Sequence, residues 1–251
     1  WHSDPEGFIG GFIDHRLVAC ISAVRCGNQF GFMGFYIVDA PYRGRGYGLN
    51  LWQAALEHLR GIPCIGLDGV VAQQDNYRQS GFVYAHRNMR YEGTLPFTHN
   101  EIRLAANEQL IPVADIPQDV LIDFDAQHFP TPRPVFLHDW IHQVGHYALA
   151  IIKGDEVCAY GVIRPCAIGY KIGPLFAQHP DQARNLVFAL CQNLDHGTPI
   201  YLDPPAENQA AIALVSELGM AFVFETARMY KGQIPQLPIQ QIFGITTFEL
   251  G

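Results

Sequence analysis

No apolar run in this 251-residue chain approaches the ~20 residues that a membrane-spanning helix needs, so no transmembrane helix and no membrane partner are expected. Basic charge is scarce as well: 16 Lys and Arg stand against 24 Asp and Glu, for a formal net charge of -8. That balance excludes broad, charge-driven nucleic-acid binding and is compatible with a cationic substrate. The six cysteines, Cys20, Cys26, Cys64, Cys158, Cys166 and Cys191, form no CxxC pair, and most sit inside apolar runs. They read as buried free thiols of a reducing compartment, the cytoplasm, rather than as a disulfide framework. There is no initiator Met; the chain opens at Trp1, and something upstream is expected to have been removed or to lie outside this sequence.

What is present suits a globular protein: 49% of residues are hydrophobic and 16% charged. At ~100–200 residues per domain, the length fits one large domain or two small ones. Residues 6–38 read as a strand meander, rich in aromatic and β-branched residues with breaks at Asp-His and Gly-Asn. A Gly-rich turn at 43–48 leads into a helix over 49–60, whose Leu49, Leu51, Trp52, Ala55, Leu56 and Leu59 recur at helical spacing and which Gly61 and Pro63 stop. A short strand at 64–70, a helix over 72–80 capped by Gly81, and a strand at 82–93 complete the first half. After a connector, helices are expected over 119–129 and 134–144, strands over 146–154, 155–165 and 169–177, then helix, strand, helix and strand to residue 232.

The two halves repeat one order of elements. Leu67-Asp68 ends a strand in the first and Leu202-Asp203 in the second; Gly81 precedes a strand ending Tyr91-Glu92-Gly93, and Gly219 one ending Tyr230-Lys231-Gly232. A repeat this long means two copies of one fold rather than a solenoid of ~20–50-residue units. The boundaries read as a first domain at 1–95, a linker at 96–111 and a second domain at 112–251.

The most informative segment is Arg43-Gly44-Arg45-Gly46-Tyr47-Gly48, placed between a strand and a helix. Glycines there let the backbone turn sharply and approach a ligand closely. The first amides of the following helix have no intrahelical partner and point outward at the positive end of the helix dipole, which makes an anion site. The dinucleotide fingerprint GxGxxG fails because Leu49 stands where its third glycine belongs, and the Gly-Lys-Ser/Thr of a P-loop is missing. R-x-x-G-x-G is satisfied by Arg43, Gly46 and Gly48.

With the lead-in strand Phe35-Tyr36-Ile37-Val38-Asp39 and the distal Asn76-Tyr77-Arg78-Gln79-Ser80-Gly81-Phe82, this pattern resembles the GNAT superfamily of N-acetyltransferases over residues 6–93. The second half resembles the C-terminal domain of tandem-GNAT bacterial proteins. The resemblance implies an α+β fold of two GNAT-like domains, each a mixed, mostly antiparallel sheet flanked by helices. It implies acetyl-CoA as co-substrate, a primary amine of a small molecule or peptide as acceptor, and no metal. A homodimer is left open. The segment of the second half that corresponds to the Gly-rich loop, Leu175 to Asp181, has no glycine and carries Pro180 and Asp181, so one CoA site is expected, in the first half. Family members begin with a strand and two helices that often wall the acceptor site; here the meander starts almost at Trp1, and those elements are expected to be missing from this chain.

The resemblance also assigns roles. The pantetheine arm would lie along the backbone of Tyr36, Ile37 and Val38, and the pyrophosphate on Arg43, Gly44, Arg45, Gly46, Tyr47, Gly48 and Leu49, with Asn76 nearby. Tyr77 would return a proton to the leaving thiolate; a phenol with an ordinary pKa of about 10 can do so. Relatives often carry the base as a Glu on the strand before the loop, which has none here; Asp68 is the nearest substitute, with Asp39 and a water chain as others. A non-catalytic acyl-CoA sensor and a transferase of longer acyl chains are the rival functions. Three further patterns suggest other chemistry but read as structural. His138-Asp139-Trp140-Ile141-His142, with His146 nearby, resembles a zinc motif with its carboxylate one methylene short. Asp123 and Asp125 point to different faces of one helix. Phe30, Phe32, Phe35 and Tyr36 read as core.

Overall fold

The computed structural model describes residues 1–94 and 102–251. The last residue of the expected first domain and residues 96–101 of the expected linker lie outside the described residues. The remainder of that linker is not all loop: residues Glu108–Pro112 form a strand. The chain divides into two compact units. One gathers Trp1–Ala85, Ala227–Pro235 and Phe248–Gly251; the other gathers His86–Thr226 and Gln236–Thr247.

In the first unit, β1 (Phe8–Ile13), β2 (Arg16–Cys26) and β3 (Phe30–Val38) form the antiparallel meander. Asp14 and His15 both take positive φ at the first hairpin, and Gly27 at the second. Helix α1 (Tyr47–His58) carries the chain to β4 (Cys64–Val70), which pairs with β3 in parallel. Buried Leu51, Trp52, Ala55 and Leu59 pack α1 on Ala19, Ile21, Ala23, Met33 and Leu67 of the sheet. Burying a large apolar side chain of this kind contributes about 1.5–3 kcal/mol. Helix α2 (Gln74–Gln79) ends where Gly81, at φ +87°, lets the amide of Phe82 reach the carbonyl of Tyr77 and that of Gly81 reach Arg78.

The second unit repeats the plan. β6 (Glu108–Pro112), β7 (Tyr147–Lys153), β8 (Glu156–Pro165) and β9 (Tyr170–Ala177) are antiparallel, and β10 (Ile200–Leu202) joins β9 in parallel. Helices α3 (Gln118–His128), α4 (Pro134–His142), α5 (Pro180–Cys191) and α6 (Gln209–Glu217) accompany them. Asn208 caps α6 by accepting from the Ala211 amide at 3.1 Å; Gly219, at φ +66°, closes it with the same bond pattern as Gly81.

The repeat differs from two self-contained copies in its last strands. β5 (Val83–Gly93) closes the first half of the sequence, yet its residues from 86 onward lie beside β10 in the second unit. β11 (Ala221–Gly232) closes the second half, yet its residues from 227 onward lie beside β4 in the first. Each exchange carries an ion pair to a fully buried aspartate. Arg228 of β11 forks Asp68 of β4 at 2.8 and 2.6 Å, and Arg90 of β5 forks Asp203 after β10 at 2.8 Å on each oxygen. The strand-end aspartates that mark the repeat are thus each held by an arginine from the other half of the sequence. A short strand, β12 (Ile242–Gly244), pairs with β9. No helix among the described residues is long and apolar enough to cross a membrane.

Candidate active site

The Gly-rich segment is a turn feeding the N-terminus of α1. Gly44 and Gly46 take φ of +72° and +85°, and a Cβ added to either would meet nothing within 4 Å. Gly46 is the N-cap, with no side-chain cap and no acidic residue in the first turn of the helix. Among the described residues, no acceptor takes a hydrogen bond from any backbone amide between Gly44 and Leu49; the first helical bond is Asn50 to Gly46 at 3.0 Å. A run of open amides at a positive dipole end can take an anion with several negative oxygens.

The flanking residues shape this cradle. The Arg43 Nε donates to the Val38 carbonyl at 2.9 Å, which ties the loop to the end of β3 and occupies a carbonyl expected to face a ligand. The Arg45 guanidinium lies 5.7 Å from the Tyr42 ring centre. Leu49 is exposed. The Asn76 amide donates to the Gln73 side chain at 2.6 Å. At Gly48 a Cβ would lie 2.7 Å from the Tyr36 hydroxyl, so this glycine makes room for the tyrosine.

Beside the cradle the sheet forks. The β3–β4 ladder runs from Phe30↔Cys64 to Met33↔Leu67 and stops, although β3 continues to Val38 and β4 to Val70. A bulge opposite β2 drives the separation: Ser22 faces Gly34 but Cys20 faces Ile37, and Phe35 takes φ +47°. Tyr36 and Ile37 therefore leave β4, and among the described residues their backbone on that side has no strand partner. Phe30 and Phe32 are core as expected, whereas Phe35 and Tyr36 are exposed, at 47% and 40%, because the bulge rotates them out of the buried alternation.

Tyr77 packs at the same fork. Its ring stacks on Trp52 at 5.4 Å and lies where a side chain on Gly69 of β4 would be. The Tyr36 ring also lies against Trp52, at 5.5 Å. Burial raises the Tyr77 phenol above its ordinary value, and the Tyr36 phenol raises it further, so Tyr77 keeps its proton at neutral pH. Asp68 is in a different state. Both its oxygens are held by Arg228, and the two side chains are 0% and 4% exposed. Burial alone would lower the Arg228 guanidinium, but Asp68 and Tyr230 more than reverse this, so the cation is permanent. A carboxylate engaged this way has no oxygen to spare for an ammonium proton. Asp39 is engaged too, by Arg16 at 2.8 Å.

The corresponding helix start in the second unit is closed. His179 and Gln182 form a capping box at the head of α5, Pro180 has no amide to offer, and Asp181 sits in the first turn. The fork there is filled by the chain itself. β9 shifts register against β8 between Gly161 and Ile163, and β12 pairs with it beyond that shift; a Cβ on Gly173 would lie 2.5 Å from the Ile245 carbonyl oxygen, and the buried Lys171 reaches Asp203 at 2.5 Å and the Thr246 carbonyl at 3.1 Å. Burial pushes the Asp203 carboxyl up, and Lys171 and Arg90 together overcome it, leaving it below the ordinary carboxylate range.

The other acidic and histidine clusters have structural roles. Asp125 is buried and forked by Arg133 at 2.8 and 2.9 Å, while Asp123 is exposed. His142 bonds the His138 carbonyl at 2.8 Å and His146 the Trp140 carbonyl at 2.7 Å through their Nδ1 atoms. Among the described residues no group of three or more His, Cys, Asp or Glu could hold a metal.

Residues 1–82 match the Acetyltransferase (GNAT) family model, and residues 121–244 match the Acetyltransferase (GNAT) domain model. The chain is 32% identical over 248 residues to the holothin acyltransferase of Pseudoalteromonas sp. (strain SANK 73390), across 99% of this chain and 82% of that protein. A Pyrococcus horikoshii crystal structure, described as a candidate acetyltransferase, superposes with a TM-score of 0.84 at 23% identity, covering 100% of this chain and 82% of that one. A tandem GNAT protein from the clavulanic acid biosynthesis pathway superposes with a TM-score of 0.61 at 11% identity, over 94% and 86% of the two chains. An open amide cradle, a forked sheet beside it, and the same plan repeated in a second unit agree with these likenesses: the chain belongs to the GNAT acyltransferase family, with two GNAT domains.

Proposed function

We propose that this chain transfers an acetyl group from acetyl-CoA to a primary amine of a small molecule or peptide, using one coenzyme site, in the first unit. The observation that carries the reading is the run of unbonded amides from Gly44 to Leu49, which fits a diphosphate. The pantetheine arm would follow the released edge of β3 at Tyr36 and Ile37, and a free amide there would stabilise charge on the thioester oxygen. Arg43 ties the loop to Val38 and keeps guanidinium nitrogens free for a phosphate. The second unit would hold no coenzyme, because its helix start is capped and its fork is filled. Six free cysteines fit a reducing compartment such as the cytoplasm.

Titrating purified protein with acetyl-CoA in a calorimeter and following thiol release with primary amines tests the proposal. Binding at micromolar level with amine-dependent release is expected; no binding refutes it. The rival reading, a sensor that binds acyl-CoA without turnover, is favoured by the engagement of Asp68 with Arg228 and by the absence of a Glu on β3. Binding without thiol release would select it.

Tyr77→Phe separates the roles of that side chain. The ring stack on Trp52 survives, so coenzyme affinity and melting temperature should stay as they are. If Tyr77 protonates the leaving sulfur, turnover falls on the order of 100-fold or more. Unchanged turnover removes it from the chemistry.

A further inference from the structure

The Gly-rich turn carries more positive charge than a diphosphate takes up. Residues 40–56 hold Arg43 and Arg45 and no Asp or Glu, in a chain whose 24 acids outnumber its 16 Lys and Arg. The fold adds a third arginine. The Arg16 guanidinium, at the start of β2, lies 5.9 Å from the Tyr42 ring centre, and the Arg45 guanidinium lies 5.7 Å from the same centre. Tyr42 is a fixed platform for them: its amide donates to the Asp39 carbonyl at 2.8 Å, and its ring packs on Tyr47 at 6.3 Å.

The three guanidinium groups are in different states. Arg16 is balanced by Asp39, at 2.8 Å, and adds no net charge. Arg43 spends its Nε on the Val38 carbonyl, a neutral acceptor, so its charge stays uncompensated where the loop meets the end of β3. Arg45 is exposed. Among the described residues no carboxylate lies within ion-pair distance of it and no acceptor takes its hydrogen bonds; its contact is the Tyr42 ring. Five N–H donors in a planar fork are thus held beside an aromatic ring with nothing to bond to.

On the proposed reading, the diphosphate is met by the open amides from Gly44 to Leu49, the positive end of α1 and Arg43. Coenzyme A carries one phosphate more. It is a monoester on the ribose 3′ oxygen, one sugar away from the diphosphate, with a charge of about −1.5 to −2 at neutral pH. Given the coenzyme reading of this turn, on which the assignment rests, we propose that the Arg45 guanidinium binds this 3′-phosphate while its amide stays in the diphosphate cradle. The chain thereby selects CoA over its 3′-dephospho form. An arginine fork matches two phosphate oxygens at once. The contact with Tyr42 limits the positions the long side chain takes, which lowers the cost of ordering it on the ligand. The second unit offers no such cation: Leu175 to Asp181 contains no Lys or Arg.

Calorimetry on the full chain with CoA and with 3′-dephospho-CoA, at low salt, tests the assignment. Wild type should bind CoA on the order of 10-fold more tightly than the dephospho form. The preference should narrow as salt rises, since an exposed ion pair is screened. Arg45→Gln should lose the preference by weakening CoA alone, and Arg45→Lys, which keeps the charge without the fork, should retain part of it. Melting curves should show both variants folded as wild type is, because Arg45 is exposed. Equal wild-type affinities, a preference that survives Arg45→Gln, or an Arg45→Gln loss shared equally by both ligands overturns the assignment; the last puts the guanidinium on the diphosphate. If neither ligand binds wild type, the coenzyme reading itself fails, and the assignment of Arg45 with it.

Discussion

Gly46→Val should abolish acetyl-CoA binding while leaving the protein folded. Gly46 takes φ +85°, a conformation that costs an L-residue roughly 1–2 kcal/mol and a β-branched one more. A Cβ there meets no protein atom within 4 Å, so steric damage to the fold is absent and the stability loss is confined to backbone strain. Binding suffers more. The new side chain projects from the turn whose amides, Gly44 to Leu49, are the open donors. A hydrogen bond to a charged oxygen contributes about 1.5–3 kcal/mol, so displacing the diphosphate from two amides weakens affinity by more than 100-fold. Calorimetry on the variant checks the affinity, and a melting curve checks the fold. Retained affinity would move the coenzyme away from this turn, and the proposal with it.

This loop was legible in the sequence because its information is local. Arg43, Gly46 and Gly48 sit within one turn and one helix start, and glycine spacing specifies the backbone directly. The alternating elements, the capping glycines Gly81 and Gly219 and the repeat itself were legible for the same reason. Helix α1 begins at Tyr47, two residues before the apolar periodicity starts, since Gly46 rather than a hydrophobic position sets its first turn. Three features were not legible. The strand Glu108–Pro112 lies in a stretch of weak periodicity and is specified by its pairing with β7. The bulge that exposes Phe35 and Tyr36 depends on a register shift against β2, which an aromatic run does not encode. The engagement of Asp68 is hidden as well, because its partner Arg228 is 160 positions away in sequence.

The exchanged arginines make a second large effect expected. Asp68→Asn should destabilise the first unit by about 3–5 kcal/mol, the usual cost of removing one partner from a buried ion pair. The amide keeps one acceptor oxygen but no charge, and Arg228, 4% exposed, remains a buried cation beside Phe32. Against the roughly 5–15 kcal/mol that holds a domain folded, this is a large share. Asp203→Asn should destabilise the second unit too, because it removes the carboxylate that offsets the burial of Lys171. Urea unfolding read through Trp52 for the first unit and Trp140 for the second distinguishes the two losses. The double change Asp68→Leu with Arg228→Met should recover most of the stability, since well-packed apolar pairs replace buried ion pairs at little cost. If Asp68→Asn alone costs less than about 1 kcal/mol, the fork is screened by water as an exposed pair is. Where the double change restores the fold but not activity, the pair's remaining role is to fix β11 against β4 beside the point where the β3–β4 ladder ends.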